Sequence, residues 1–438
     1  MEVLVAKFGG TSLASAEAFR KVKAIMEQDD RRCFAVVSAP GKRDAADHKI
    51  TDLLYACHDR VSRGEGFDDL FAQISDRYRS IVAGLGLELD LESLLDEIRG
   101  RIPQQSQPDY AASRGEFLNA VILAALLGYE FVDALDLIRF NENGFLDLVA
   151  TERLIAEKLP PGTRAVIPGF YGTMPDGSIK TFPRGGSDIT GALIARGVKA
   201  KVYENWTDVS GFFMVDPRLV DNPQPISLIT YRELRELAYN GANVLHEAAI
   251  YPVSQVGIPI NIRNTNCPDH PGTMIVKSID DAGASRDIIG VAGQKDFVII
   301  QVEKALMHSE TGFVRRLLSI LEELRISFSH MPSGIDMVSL VILKSELNGK
   351  LDRVIELIHE RLQPDRVEVI EEIALIATVG QGVAKRHGIA ARLFKALADE
   401  MINVRMIDQG AHGINLIVGV ENADFERAVK AIYRAFVQ

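Results

Sequence analysis

Lys7-Phe8-Gly9-Gly10-Thr11-Ser12 follows the apolar run Val3-Leu4-Val5-Ala6 and precedes a helix-like segment, Ala14 to Met26. A buried strand that ends in a lysine, two glycines and two hydroxyls, and then opens a helix, suits an anion. Glycine lets backbone N–H groups come close to a phosphate, and the helix N-terminus adds partial positive charge. Lys7 adds a full cation. No Gly-x-x-x-x-Gly-Lys-Ser/Thr occurs, so this is not a Walker loop. The structural alternative is a strand-to-helix turn that needs glycine for its geometry.

A second such element, Phe182-Pro183-Arg184-Gly185-Gly186-Ser187-Asp188-Ile189-Thr190-Gly191, also opens a helix. Arginine forks a carboxylate or phosphate. Asp188, in the first helical turn, suits the helix dipole, a lysine partner or a metal. Two Gly-Gly loops with adjacent cations favour an anion site over a pair of turns. Val37-Ser38-Ala39-Pro40-Gly41 ends another strand in a hydroxyl and a glycine, as a ligand at a sheet's C-terminal edge requires.

Ser113-Arg114-Gly115-Glu116 has the spacing of a capping box, with a helix expected from Ser113 to Leu127. Its other reading turns the Glu116 carboxylate toward a substrate ammonium. Trp206-Thr207-Asp208-Val209-Ser210-Gly211, continuing to Asp216-Pro217-Arg218, reads either as a polar turn with a cap at Asp208 or as a nucleotide loop.

Around these motifs, short apolar runs alternate with amphipathic stretches from residue 1 to about 282. That pattern predicts an α/β sandwich with a mainly parallel sheet. Residues 60 to 112 read as a helical insert. Met174-Pro175-Asp176-Gly177 predicts a hairpin between Val166–Tyr171 and Ser178–Phe182. Residues 280 to 285 read as a linker.

The last third holds an internal repeat. Gly312-Phe313 and Gly388-Ile389 head helices 76 residues apart, each followed by a short strand (Ile326–Phe328, Ile402–Val404), a turn and a longer strand. The order strand, helix, strand, strand, helix, strand predicts two ferredoxin-like modules over 290–438, opening at Phe297–Val302 and Ala374–Val379. Regulation or dimerisation suits such modules better than chemistry.

Composition excludes several classes. The net charge of −11 argues against a nucleic-acid surface. Three scattered cysteines suggest no disulfide framework and point to a reducing cytoplasm. The nine histidines show no metal-ligand spacing, and neither a signal peptide nor a membrane span is expected. Cation-rich glycine loops without a His or Cys nucleophile suit phosphoryl transfer, which needs positioning and charge neutralisation more than covalent catalysis. A carboxylate acceptor is already ionised at neutral pH and needs no base.

In their order, Lys7–Ser12, Ser113–Glu116, Arg184–Asp188, Trp206–Gly211 with Asp216–Arg218, and Gly241–His246 resemble the aspartate kinases of the amino-acid-kinase superfamily. The resemblance spans essentially the whole chain. It implies ATP-dependent phosphorylation of the aspartate side chain, ahead of lysine, threonine and methionine synthesis. It implies Lys7, Arg184 and Asp188 in catalysis. Ser38, Thr51, Glu116, Phe170, Arg184 and Ser187 would contact aspartate, which reverses the capping reading of Glu116. Lys7, Gly9, Gly10, Thr207, Asp208, Phe213, Asp216 and Arg218 would hold ATP, with Mg2+ bridging phosphate oxygens and no protein metal site. The repeat would be paired ACT domains, the first (about 304–371) nested in the second (about 290–303 plus 372–438). Met307, Ser309, Gly312, Phe313, Ser329 and Asp336 would bind an inhibitory amino acid, lysine or alternatively threonine. A homodimer or larger homo-oligomer is expected.

Two departures stand out. Asn243 replaces a common lysine, for which Lys42, Arg43 or Lys49 would compensate, and Phe213 replaces a common tyrosine. The rival readings are another acid kinase of the superfamily and a non-catalytic amino-acid sensor. A fused dehydrogenase is not expected, since no dinucleotide fingerprint follows the repeat.

Overall fold

A computed structural model describes residues 2–183, 185–242, 245, 247–279, 286–410 and 413–437. The chain divides into two compact units: 1–212 with 225–234 and 244–279, and 213–224 with 235–243 and 280–438.

The first unit is built on an eight-stranded sheet. Its strands are β1 (Leu4–Phe8), β2 (Arg32–Val37), β3 (Glu130–Phe131), β4 (Ala165–Pro168), β7 (Val202–Thr207), β10 (Leu228–Thr230), β11 (Ile260–Asn264) and β12 (Thr273–Val276). The order is β10-β12-β11-β7-β1-β2-β4-β3, and only the β11–β12 pair is antiparallel. The strands β5 (Tyr171–Thr173) and β6 (Ile179–Thr181) form a separate hairpin, and β8 (Phe212–Phe213) and β9 (Pro225–Ile226) also lie outside the main sheet. The central strands are apolar on both faces, as a sheet covered by helices requires.

The covering helices include α1 (Ala16–Glu27), α2 (Ile50–Ser62), α3 (Asp68–Leu85), α4 (Leu91–Arg101), α5 (Asp109–Leu127), α6 (Ala134–Leu137), α7 (Leu148–Lys158) and α8 (Gly186–Gly197). Helices α3 and α4 occupy the expected insert. By length and composition α5 could cross a membrane, but 72% of its most apolar window is buried inside this unit. It is the central core helix, apolar almost all round.

Two local expectations change. Helix α5 begins at Asp109, so Ser113 lies inside it and is not a cap; its Oγ donates to the Tyr110 carbonyl at 2.8 Å. The helix starts earlier because the Asp109 carboxylate accepts the N–H and Oγ–H of Thr181, each at 2.7 Å, which ties its first turn to β6. The expected strand Val166–Tyr171 is split into β4 and β5. Between them Phe170 adopts φ +82°, a left-handed conformation rare for a bulky residue, which turns the chain out of the sheet.

The second unit contains a five-stranded antiparallel sheet of β13 (Gly290–Glu303), β14 (Met337–Leu343), β15 (Arg366–Val379), β16 (Met406–Asp408) and β17 (Asn415–Glu421), in the order β14-β13-β15-β17-β16. The strands β13 and β15 each run 14 residues and carry both modules. Their register shifts between Gln294 and Ile299, where Asp296 and, opposite, Glu372 take positive φ. The second strand of each repeat differs from expectation. Ile326–Phe328 forms no strand, and only His330 and Ser333 make isolated bridges to Val341 and Val338. In the other copy the strand lies at Met406–Asp408, four residues beyond Ile402. Ile326 and Ile402 are buried, so their apolar character reflects packing and not strand position. The linker 280–285 lies outside the described residues.

Candidate active site

In the parallel sheet Phe8, Val37, Pro168 and Trp206 share one end through the pairs Phe8–Val37, Val37–Pro168 and Phe8–Trp206. The loops that follow these strands therefore gather at a single C-terminal edge, the usual ligand edge of an open α/β sheet.

At that edge the ammonium of Lys7 meets Asp188 Oδ1 at 2.6 Å. Lys7 is 7% exposed, so the pair excludes most water and each charge needs the other. Asp188 sits in the first turn of α8, whose cap Gly185 has φ +77°. Asn205, on β7, donates its Nδ2–H to the same Oδ1 at 2.9 Å. Of the three readings of Asp188, the lysine partner is the one observed, and Asn205 is a second contact that the sequence reading missed. An asparagine within a buried strand was the available signal.

The Lys7–Ser12 loop is held from both sides. The Gly9 N–H donates to the Trp206 carbonyl at 3.0 Å, so it is committed within the fold and is not a free phosphate donor; this corrects the expectation for Gly9. A Cβ on Gly9 would make only ordinary contacts, 3.6 Å from the Trp206 carbonyl oxygen and 3.7 Å from the Lys7 ammonium, so space alone does not demand glycine there. Gly10 is glycine for a steric reason. A Cβ on it would lie 2.8 Å from the Ala39 carbonyl oxygen, and its own carbonyl accepts the Gly41 N–H at 2.8 Å. The two glycine loops interlock backbone to backbone. Ser12 Oγ lies 2.7 Å from Thr265 Oγ1.

The Ser38–Gly41 loop rests on α5. A Cβ on Gly115 would come within 2.6 Å of the Ala39 Cβ, so glycine there permits the close approach. Asn119 donates to the Ser38 carbonyl at 2.7 Å. Glu116 is 4% exposed and its Oε2 has no hydrogen-bond partner. Burial pushes its pKa up to about 8, against the opposing pull of the Ala39 N–H, Arg114 and Lys7. A sealed carboxyl with an unpaired oxygen suits a cationic partner.

Ser187 is buried against Gly169, Phe170 donates its N–H to Thr190 Oγ1 at 3.0 Å, and Thr51 is half-buried on α2. Arg184, Asn243 and His246 lie outside the described residues. Arg43 is engaged with Asp47, its Nε donating to Oδ2 at 3.0 Å, which leaves Lys42 and Lys49 as candidate replacement cations.

Thr207 ends β7 and Asp208 follows it in the first unit; no helix starts at Asp208, so it is not a cap. Phe213, Asp216 and Arg218 belong to the second unit, where Arg218 Nε donates to Asp216 Oδ1 at 3.0 Å. At the expected effector loop, Met307 and Phe313 point into the module's core and offer only backbone outward. Gly312 caps the following helix at φ +80°, and Asp336 Oδ1 accepts the Leu306 N–H at 2.9 Å. Ser309 is exposed, and the Ser329 N–H donates to the Val341 carbonyl at 2.8 Å.

A profile of the amino acid kinase family matches residues 2–264, and one of the ACT domain matches 376–436. Aspartokinase 3 of Bacillus subtilis is 38% identical over 453 residues, covering 99% of this chain and 98% of its own. The chain belongs to the aspartokinases of the amino acid kinase family. The crystal structure of Clostridium acetobutylicum aspartate kinase matches with a TM-score of 0.91 and 52% identity, over 100% of both chains. Escherichia coli aspartokinase III, solved in complex with aspartate and ADP, matches with a TM-score of 0.77 and 26% identity, also over 100% of both. This aspartokinase transfers a phosphoryl group from ATP to the side-chain carboxylate of L-aspartate, giving 4-phospho-L-aspartate for the lysine, threonine and methionine pathway. The C-terminal modules are ACT domains.

Proposed function

We propose that the edge built on Lys7, Ser38, Glu116 and Asp188 performs this transfer through charge neutralisation alone. The Lys7–Asp188 contact carries the reading. Two anions must approach each other, and a buried ammonium fixed by a carboxylate and an asparagine offsets their repulsion without reorganising. Glu116 takes the aspartate ammonium, and Arg184, with Ser38, Thr51, Phe170 and Ser187, holds its carboxylates. Gly10 faces the phosphates, and Thr207 and Asp208, where β7 ends in the same unit, serve the nucleotide.

Among the described residues no three His, Cys, Asp or Glu side chains group to hold a metal. Mg2+, carried in on the nucleotide, would bridge phosphate oxygens, spread their charge and keep several of its waters. Lysine is the proposed inhibitor, acting at the first ACT domain near Met307, Ser309, Gly312 and Asp336. Its support is E. coli aspartokinase III, also solved with lysine and aspartate. A homodimer in the cytoplasm completes the proposal, supported by three unpaired cysteines and by the habit of small sheet modules to pair across a two-fold.

Aspartate-dependent ADP release, with lysine and threonine titrated separately, is the test. Turnover should vanish in Lys7→Ala and fall with lysine. Equal rates with and without millimolar lysine would remove lysine as effector.

A further inference from the structure

The Ser38–Ala39 peptide link is held at its carbonyl by α5 and turns its N–H toward the Glu116 carboxyl on the same helix. Its carbonyl accepts the Asn119 Nδ2–H at 2.7 Å, across a separation of 81 residues. Its N–H lies on the side of the Glu116 carboxyl and favours that group's charged form. Asn119 is fully buried, and Gly115 brings α5 close enough for both contacts. Residues 116 and 119 share one face of α5, a single turn apart.

The orientation of the Asn119 amide follows from its partner. Only the NH2 can donate to the Ser38 carbonyl, so Oδ1 faces away from it. That oxygen has no hydrogen-bond partner, and neither does Glu116 Oε2. Two buried oxygens thus stand on one helical face without a hydrogen-bond partner, a costly arrangement that sites built for a ligand tolerate.

We infer that Asn119 is a positioning and specificity residue for the amino-acid substrate. Resting on the proposed role of Glu116, it holds Ser38 in register with that carboxyl, and its free oxygen helps select a substrate end rich in N–H donors. An α-ammonium supplies three such donors; a dicarboxylic acid without the amine supplies none. The hydroxyl of Ser38 and the carboxyl of Glu116 then read one substrate from a shared backbone link.

The test compares Asn119→Leu, near in volume, and Asn119→Asp, near in shape, with the unmodified enzyme. Readouts are the KM for aspartate, the KM for ATP, kcat, and inhibition by succinate, which lacks the amine. Loss of one such contact corresponds to about a tenfold change in affinity. Asn119→Leu should raise the aspartate KM about tenfold or more, leave the ATP KM within about twofold, and weaken succinate far less than aspartate. Asn119→Asp, which keeps an acceptor, should recover part of the preference for aspartate over succinate. An unchanged aspartate KM in Asn119→Leu, or equal losses for aspartate and succinate in both variants, would overturn the inference. Should Asn119→Leu not fold, Asn119→Asp and the smaller Asn119→Ser carry the same comparison. Failure of the underlying role of Glu116 reads out separately, as an aspartate KM unmoved in Glu116→Gln.

Discussion

The buried carboxyl of Glu116 makes the pH dependence of aspartate use a direct probe of the site. Its pKa stands at about 8 because burial disfavours the charged form. Pairing with an ammonium requires that charged form, so below pH 8 each aspartate must first drive off a proton. At pH 7 about one molecule in eleven is ionised, and the cost of ionising the rest is about 1.4 kcal/mol. At pH 6 the ionised share falls to about 1% and the cost rises to about 2.7 kcal/mol. The kcat/KM for aspartate should therefore climb about 50-fold from pH 6 to pH 8, while the ATP KM stays level. Coupled ADP release at limiting aspartate, in buffers of constant ionic strength, measures this. Glu116→Gln should lose the slope and, at pH 8, about 10- to 100-fold in kcat/KM, the worth of a charge-assisted hydrogen bond. Stability supplies an independent reading of the same group. A carboxyl whose folded pKa is raised binds its proton more tightly in the folded state, so its contribution is intact below about pH 4.5 and declines as pH rises toward 8. Glu116→Gln should accordingly melt higher than the unmodified enzyme at pH 8.5 and nearly with it at pH 4.5. A flat aspartate profile from pH 6 to 8, or a slope that survives in Glu116→Gln, would refute the reasoning.

Asp188→Asn should leave the Lys7 ammonium buried without its counter-charge and lower kcat about 100-fold or more, read as single-turnover phosphoryl transfer. Gly115→Ala puts a methyl 2.6 Å from the Ala39 Cβ and should cost about 1–3 kcal/mol in urea unfolding, with a raised aspartate KM as the Ser38 loop is pushed off α5. Asp47 bonds Arg43 and the buried Arg77, which hold its carboxyl well below the usual range; that stability is present at neutral pH and lost as acid protonates it. Asp47→Asn should cost about 2–4 kcal/mol at pH 7, and the two proteins should converge in acid denaturation. Lys42→Ala and Lys49→Ala should raise the ATP KM more than Arg43→Ala does, because Arg43 is already engaged by Asp47.

Much of the fold could be read ahead of the structure. The alternation of apolar strands and amphipathic helices, the insert, and the repeat headed by Gly312 and Gly388 all rest on short-range patterns that a linear chain displays. Boundaries were harder to read. Ser113 carries a capping signature, yet the helix begins at Asp109 because Thr181 on a distant hairpin anchors its first turn. Ile326–Phe328 has strand composition, yet it forms no strand: Ile326 packs into the module's core while Phe328 is exposed.

The same division runs through the site. The sequence by itself determined which residue types could meet an anion: a lysine beside paired glycines, a second glycine pair with an aspartate, and a glutamate after a glycine. Those are local matters of charge, hydrogen-bonding capacity and backbone freedom. Only the tertiary structure decided the partners. It set Asp188 and Asn205 together on Lys7, spent the Gly9 N–H on Trp206, and locked Gly10 against Gly41. It also sealed Glu116 beneath the Ser38 loop, where loss of water shifts its proton affinity. Partnership and burial depend on which distant segments the parallel sheet brings to one edge, and spacing along a chain does not record them.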